Sequence, residues 1–397
     1  MQKLLTLLLL ISLQTAVAQS FKVVGYLPYY RFGLINNIEF NRLTHVNIAF
    51  ANPDSLGNLS VSGTNISSAV NKAHQQGCEV FISLAGGYLT PEWETNWTNL
   101  AQPANRPAFI QKIVQYVQSH NLDGVDIDLE WQYVQDWYSP FILDLKAALE
   151  PLNIPLTVAL PGSYRYPEIT PQALAAFDWV NMMVYDLTGP WDPTNPGQHS
   201  PYLWAQQCIQ YWQNQGVPAE QLTLGVPFYG YDFGVSPVNA FKYGTIVAAD
   251  PANAYLDQTG QKFWNGIPTI QAKTELALNE VAGIMIWELG EDAFGDDVDL
   301  SLLKAIDEVV DAAASGTSEN EAPALNIYPN PVQDRLFVQL TDGGHFQCVI
   351  CDAQGRQVLQ QSGYERFEMS VSDFPAGLYT LAVYSDSGIR TGRFVKL

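Results

Sequence analysis

The segment Leu122-Asp123-Gly124-Val125-Asp126-Ile127-Asp128-Leu129-Glu130-Trp131 alternates acidic and aliphatic residues along its second half. Successive side chains of a strand point to opposite faces, so Asp126, Asp128 and Glu130 share one face and Val125, Ile127 and Leu129 the other. Three carboxylates brought that close repel one another and lose hydration, a cost that core packing does not justify. Two chemistries would. Carboxylates at the end of a strand can hold a hard cation such as Ca²⁺ or Mg²⁺, although such ligands normally come from several loops. Alternatively, crowded carboxylates cannot all ionise, so one keeps its proton near neutral pH and serves as a general acid. Glu130, the last of the three along the strand, suits that proton donor.

Other reactive residue types form no competing constellation. The five histidines (His45, His74, His120, His199 and His345) are scattered without HExxH or similar spacing, so no metal is assigned. Cys208 shares a helical stripe with Trp204, Tyr211 and Trp212, which reads as a buried thiol rather than a nucleophile. Cys348 and Cys351 form a CxxC in a strand-like segment, with no second pair to complete a metal set; a disulfide or two free thiols both fit.

The elements that must position the carboxylates follow from periodicity. Short, nearly continuous apolar runs at 22–27, 43–50, 78–84, 124–130, 154–160, 179–185, 222–228 and 283–287 read as strands covered on both faces. Between them Phe109, Ile110, Ile113, Val114 and Val117, and again Phe141, Leu145 and Leu149, recur at helical spacing. Eight strands alternating with helices predict the α/β class and a (β/α)₈ TIM barrel, in which one end of every strand faces the catalytic mouth. After a helix near 300–310, residues 313–324 are small and polar and read as a linker. From 325 to 397, short alternating strands with turn signals at Asp342-Gly343-Gly344, Gln354-Gly355 and Pro375-Ala376-Gly377 predict a small C-terminal all-β, sandwich-like domain.

Composition limits the partners. The chain of 397 residues has 19 Lys and Arg against 40 Asp and Glu, a net charge of -21, which argues against nucleic acid and anionic surfaces and favours a neutral substrate. Residues 1–18 run from Lys3 through an apolar stretch to Ala16-Val17-Ala18, the order of a secretory signal peptide. That stretch is too short to span a bilayer, and no later one is long enough.

On these motifs residues 21–310 resemble glycoside hydrolase family 18, whose signature DxxDxDxE is met by Asp123, Asp126, Asp128 and Glu130. Further resemblance lies in Ile82-Ser83-Leu84-Ala85-Gly86-Gly87, which has one residue more than the family's Ser-x-Gly-Gly, in Met183-Val184-Tyr185-Asp186, in Gly225-Val226-Pro227-Phe228-Tyr229-Gly230, and in Gly283-Ile284-Met285-Ile286-Trp287-Glu288. Tyr88 and Tyr231 stand where the family often has Trp and Arg. The resemblance implies a catalytic domain at 19–312 that cleaves chitin, a β-1,4-linked N-acetylglucosamine polymer, with retention and without a cofactor. In it Glu130 is acid and base, and Asp128 orients the acetamido group. Asp126 tunes Asp128 through a shared proton or hydrogen bond, and Tyr185 bonds the acetamido oxygen. Trp287 is the hydrophobic floor, and Met183 and Asp186 line the same pocket. Asp123, Tyr26, Gly86, Gly87, Trp131 and Tyr229 complete the expected substrate-binding set. Alternatives within the same scaffold are an endo-β-N-acetylglucosaminidase acting on glycoprotein glycans and a lectin-like relative that only binds sugar; an intact Glu130 counts against the latter. Trp93, Trp97, Trp137, Trp191 and Trp264 divide between sugar platforms and packing, whereas Trp204 and Trp212 read as core.

The tail resembles the type A C-terminal sorting domain of type IX secretion substrates. The signatures are Tyr328-Pro329-Asn330-Pro331, Asp352-Ala353-Gln354-Gly355-Arg356, Ala376-Gly377-Leu378-Tyr379 and Arg393-Phe394-Val395-Lys396. It implies the type IX machinery as partner and export through periplasm and outer membrane, to the cell surface or medium.

Overall fold

Each of the eight apolar runs forms a strand: β1 (Lys22–Pro28), β2 (His45–Pro53), β3 (Glu79–Gly86), β4 (Gly124–Leu129), β5 (Leu156–Pro161), β6 (Trp179–Met183), β7 (Leu222–Pro227) and β8 (Gly283–Trp287). The computed structural model describes residues 21–315, 325–340, 345–353, 356–364, 366–385 and 388–397. The expected signal peptide at 1–18, most of the linker at 313–324, and the turns Asp342-Gly343-Gly344 and Gln354-Gly355 lie outside the described residues. Each barrel strand pairs in parallel with its neighbours, and β1 pairs with both β2 and β8, so the sheet closes into a TIM barrel.

Period two sorts the side chains as the sequence requires. Val125, Ile127 and Leu129 are buried on the outer face of β4, in one cluster with Phe109, Ile113 and Val117 of the helix Arg106–Ser119 and with Phe141, Leu145 and Leu149 of Tyr138–Leu149. The interior departs from the aliphatic filling expected of such barrels. Asn47, Ser83, Asp126, Thr157, Asn181 and Thr223 are all fully buried there. Five of them are tolerated inside because they bond one another across strands, as described below, whereas neither amide atom of Asn47 has a partner among the described residues.

Between β7 and the helix Ile267–Glu280 the chain adds a small antiparallel sheet of four strands, Tyr229–Asp232, Asn239–Lys242, Gln258–Thr259 and Lys262–Phe263. The helix Leu302–Ala314 continues two residues into the segment read as linker, its N-terminus capped by Ser301, whose hydroxyl accepts from the Lys304 N–H.

Among the described residues the tail forms two antiparallel sheets, one of three strands and one of four, around a core of its own that includes Val332, Leu336, Val338, Ile350, Leu381 and Phe394. Alternation gives its larger sheet a second apolar face. Cys351 and Ala382, with Val349, Tyr384 and Ile389, belong to the barrel's cluster, so the sandwich leans on the barrel. Gln206 Nε2 donates to Thr391 Oγ1 (3.1 Å) and Gln207 Nε2 to the Asp352 carbonyl (3.2 Å) across the contact. Cys348 and Cys351 are free buried thiols, each pushed up to about 12 by burial.

Candidate active site

Asp126 organises the interior. Its Oδ2 accepts from Tyr26 OH and Ser83 Oγ (both 2.7 Å), and its Oδ1 from Thr157 Oγ1 (2.6 Å) and Asn181 Nδ2 (3.2 Å). These donors lie on β1, β3, β5 and β6, so one carboxylate on β4 ties five strands together. Thr223 of β7 extends the network by donating to Asn181 Oδ1 (2.7 Å). Burial raises Asp126 above the usual carboxylate range against four hydrogen bonds that favour its charge.

One step further along β4, Asp128 is buried and its Oδ1 has no hydrogen-bond partner among the described residues. Burial, then the charges of Glu130 and Asp126, push it well above the ordinary value. The anticipated hydrogen bond between Asp126 and Asp128 is absent, because all four bonds of Asp126 go to other strands; the two carboxylates are coupled through charge.

Glu130 follows the last residue of β4, and while its carbonyl accepts from the Tyr133 N–H, its carboxyl makes no hydrogen bond among the described residues. Burial, with a contribution from the Asp186 charge, raises it to about 7. Its room is made by Gly87, where an added Cβ would lie 2.3 Å from Glu130 Oε1. Ala85 and Gly86, with φ of 82° and 97°, bend the end of β3. At Gly86 a Cβ would also strike the Phe50 ring, at 2.7 Å.

Aromatic and polar residues surround the carboxylates. Trp287 stacks on Phe50 (centroids 5.8 Å apart, 19° between planes) and touches Tyr26 (5.6 Å). Trp287, Met183, Tyr185 and Tyr229 share one cluster, and Tyr185 directs its hydroxyl to Met285 Sδ at 3.8 Å. Burial, then the charge of Asp128, holds the Tyr185 phenol well above its ordinary value, so it is a donor at any working pH. Asp186, in the left-handed region at φ 67°, accepts hydrogen bonds from Tyr229 and Tyr231. Trp131 and Trp191, each 58% exposed, are open to solvent, whereas Trp97, Trp137, Trp204, Trp212 and Trp264 are buried and Trp93 packs half-buried against the core.

Two expected contacts are corrected. Asp123 precedes β4 and therefore sits at the opposite end of the barrel from Glu130, where its Oδ2 accepts from the Val80 N–H and meets His74 Nε2, both at 2.7 Å. There it ties the start of β3 to His74, the length of β4 away from Glu130. Tyr26 is buried with its hydroxyl committed to Asp126, so it supports a carboxylate instead of touching substrate. Sequence reasoning missed Phe50, Thr157, Asn181 and His199, and marked Tyr231 only as a departure from the family. Polar residues at alternate positions of otherwise apolar strands were the available signal for Thr157 and Asn181.

Among the described residues no group of three or more His, Cys, Asp or Glu has metal-holding geometry, and no helix is long and apolar enough to cross a membrane. Comparison with known proteins finds the description "Glycosyl hydrolases family 18" over residues 22–292 and "Secretion system C-terminal sorting domain" over residues 326–396. The GH18 chitinase ChiB from the chitin utilization locus of Flavobacterium johnsoniae is 44% identical, with a TM-score of 0.71 over 74% of this chain and 94% of that one. A chitinase from Bacteroides thetaiotaomicron is 30% identical, with a TM-score of 0.64 over 73% of this chain and 96% of that one. Chitinase B of Serratia marcescens is 28% identical over 278 residues, 53% of this chain and 55% of that protein. The chain spans 9% and 58% of the length of the first two curated relatives it matches.

Proposed function

From the membership of this chain in glycoside hydrolase family 18 we propose that it is a secreted chitinase, cleaving β-1,4-linked N-acetylglucosamine polymers with retention and with Glu130 as general acid and base. The observation that carries this reading is the state of the Glu130 carboxyl: raised to about 7, without a hydrogen bond among the described residues and set past the end of β4, it holds a proton it can give away. Glu130 protonates the glycosidic oxygen, which leaves with the electron pair of the bond to the anomeric carbon. The acetamido oxygen of the same sugar bonds to that carbon in its place, which uses proximity instead of an enzyme nucleophile. Asp128, whose Oδ1 lacks a protein partner, accepts the acetamido N–H and balances the oxazolinium charge, while the Tyr185 hydroxyl supports the acetamido oxygen. Glu130 then takes a proton from water, the water oxygen bonds to the anomeric carbon, and the oxazoline opens. Two inversions give retention.

Trp287 on Phe50 provides the apolar floor for the reacting sugar, and the exposed Trp131 and Trp191 suit outer sugars. Residues 19–312 form the catalytic unit in this reading. The sorting domain indicates export to the cell surface or beyond, and we assign the route to the type IX machinery across the outer membrane.

The test is hydrolysis of chitooligosaccharides beside a high-mannose glycoprotein, with the anomer of the first product followed by NMR. Release of β-anomer from the oligosaccharides is expected. Glu130→Gln should lower turnover of an unactivated oligomer by about 10²–10⁴ while a 4-nitrophenyl chitobioside suffers less, since its leaving group needs little protonation. Cleavage of the glycoprotein alone would reassign the substrate, and near-normal oligomer turnover by a folded Glu130→Gln would overturn the mechanism.

A further inference from the structure

Asp186 is held in an unusual way for a residue whose charge acts on the acid. Its Oδ1 accepts from both Tyr229 and Tyr231, the latter at 2.9 Å, and lies 3.5 Å from His199 Nδ1. Its Oδ2 has no hydrogen-bond partner, and no Lys or Arg pairs with it, among the described residues. All its fixed donors are therefore on one oxygen and none brings a full countercharge from Lys or Arg.

His199 is fully buried and joins the backbone to this clamp. A carbonyl can only accept, so His199 Nε2 donates to the Tyr229 carbonyl at 3.2 Å, which leaves Nδ1 to receive the Asp186 N–H at 3.4 Å. The His199 carbonyl in turn accepts from the Leu187 N–H at 2.9 Å. The imidazole packs against the rings of Tyr229 (4.9 Å) and Tyr231 (5.0 Å), and Trp191 closes on Tyr231 (5.9 Å). Behind it, Lys273 Nζ donates to the carbonyl and hydroxyl of Ser200 (2.6 and 2.7 Å), anchoring the segment that carries the imidazole. A residue at φ 67° needs such over-determination to stay in place.

Resting on the hydrolase reading above, we propose that Tyr231 and His199 are positioning residues that fix the negative charge of Asp186 toward Glu130, and so set the pH above which Glu130 ceases to deliver its proton. Asp186 contributes to raising Glu130; its own side chain is 41% exposed and partly screened by solvent, so its effect on the buried acid depends on how firmly it is held in place. The other charged and titratable groups around the clamp are Tyr185 and Asp128 from the barrel interior, Glu291 beyond Tyr231, and Lys273 from the helix Ile267–Glu280.

The experiment measures kcat and KM against pH on chitotetraose for the full chain and for Asp186→Asn, Tyr231→Phe, His199→Gln and His199→Asn, each shown folded by circular dichroism. Asp186→Asn, which removes the charge, should move the alkaline limb of kcat furthest toward acid. Tyr231→Phe releases one bond and should move it the same way by about half a pH unit, with kcat affected more than KM. His199→Gln keeps a donor but misplaces the acceptor and should behave like Tyr231→Phe; His199→Asn, which can place its amide oxygen near Nδ1, should restore the limb. An alkaline limb at the wild-type position in folded Tyr231→Phe and His199→Gln, or in Asp186→Asn itself, would overturn the inference. Absence of oligomer hydrolysis by the unaltered chain would instead refute the hydrolase reading.

Discussion

At the scale of single residues, Glu130 carries a conflict between catalysis and stability. In the unfolded chain it ionises near the ordinary glutamate value, whereas burial and the Asp186 charge hold it to about 7 in the fold. A carboxyl raised on folding binds more protons in the native state, so its contribution to stability declines as pH rises from the unfolded value through about 7. Glutamine cannot ionise and escapes that decline. Glu130→Gln should therefore gain thermal stability relative to the unaltered chain between pH 5 and pH 8, by about 2–5 °C in Tm. Calorimetry at both pH values checks this, and an equal Tm difference at the two would show that the carboxylate is not strained. The same protonation predicts hydrolysis that falls away above about pH 7.

At the scale of elements, the end of β3 and the end of β4 are matched. Gly87 does not need a left-handed backbone; what requires glycine is the Glu130 carboxyl, whose Oε1 a Cβ would meet at 2.3 Å. That oxygen ends a flexible side chain and can swing aside. Gly87→Ala should accordingly unfold within a degree or two of the unaltered chain yet lose about 10²-fold in kcat, because the acid is displaced by roughly an ångström. Parallel measurement of Tm and turnover decides it; a variant that loses stability as much as activity would mean that Gly87 serves packing instead. Gly86 differs, since φ 97° and the Phe50 ring both resist a side chain.

At the scale of the whole molecule, the sorting domain touches the barrel through its second apolar face, with Tyr384, Ile389 and Ala382 in the barrel's own cluster. None of its described residues contributes to the network around Asp126, Asp128 and Glu130. A chain ending at Ser315 should keep its kcat on soluble chitooligosaccharide while unfolding about 2–4 °C lower and associating more readily, because the cover over the helices Tyr202–Asn214 and Ile267–Glu280 is gone. Turnover and light scattering on the truncated protein measure the two effects. A large fall in kcat with the barrel still folded would tie the domain to catalysis.

The barrel and its carboxylate strand were legible in the sequence because both rest on local periodicity. A strand repeats every two residues and a helix every 3.6, so eight apolar runs, their crossovers and the shared face of Asp126, Asp128 and Glu130 could be read without a fold in view. Contacts between residues far apart in the chain have no such period. The signature containing Asp123 spans the whole length of β4, and only the tertiary structure shows that its first aspartate bonds Val80 and His74, far from Glu130. Tyr26 and Asp126 are 100 residues apart, and Arg31, whose Nε donates to Glu288 Oε1 at 2.6 Å, is 257 residues from its partner. The clamp of Tyr229, Tyr231 and His199 on Asp186 and the seat of the sorting domain on the barrel arise in the same way. Each depends on which side chains converge when the sheet closes, a geometric condition on the whole chain that no segment of it records.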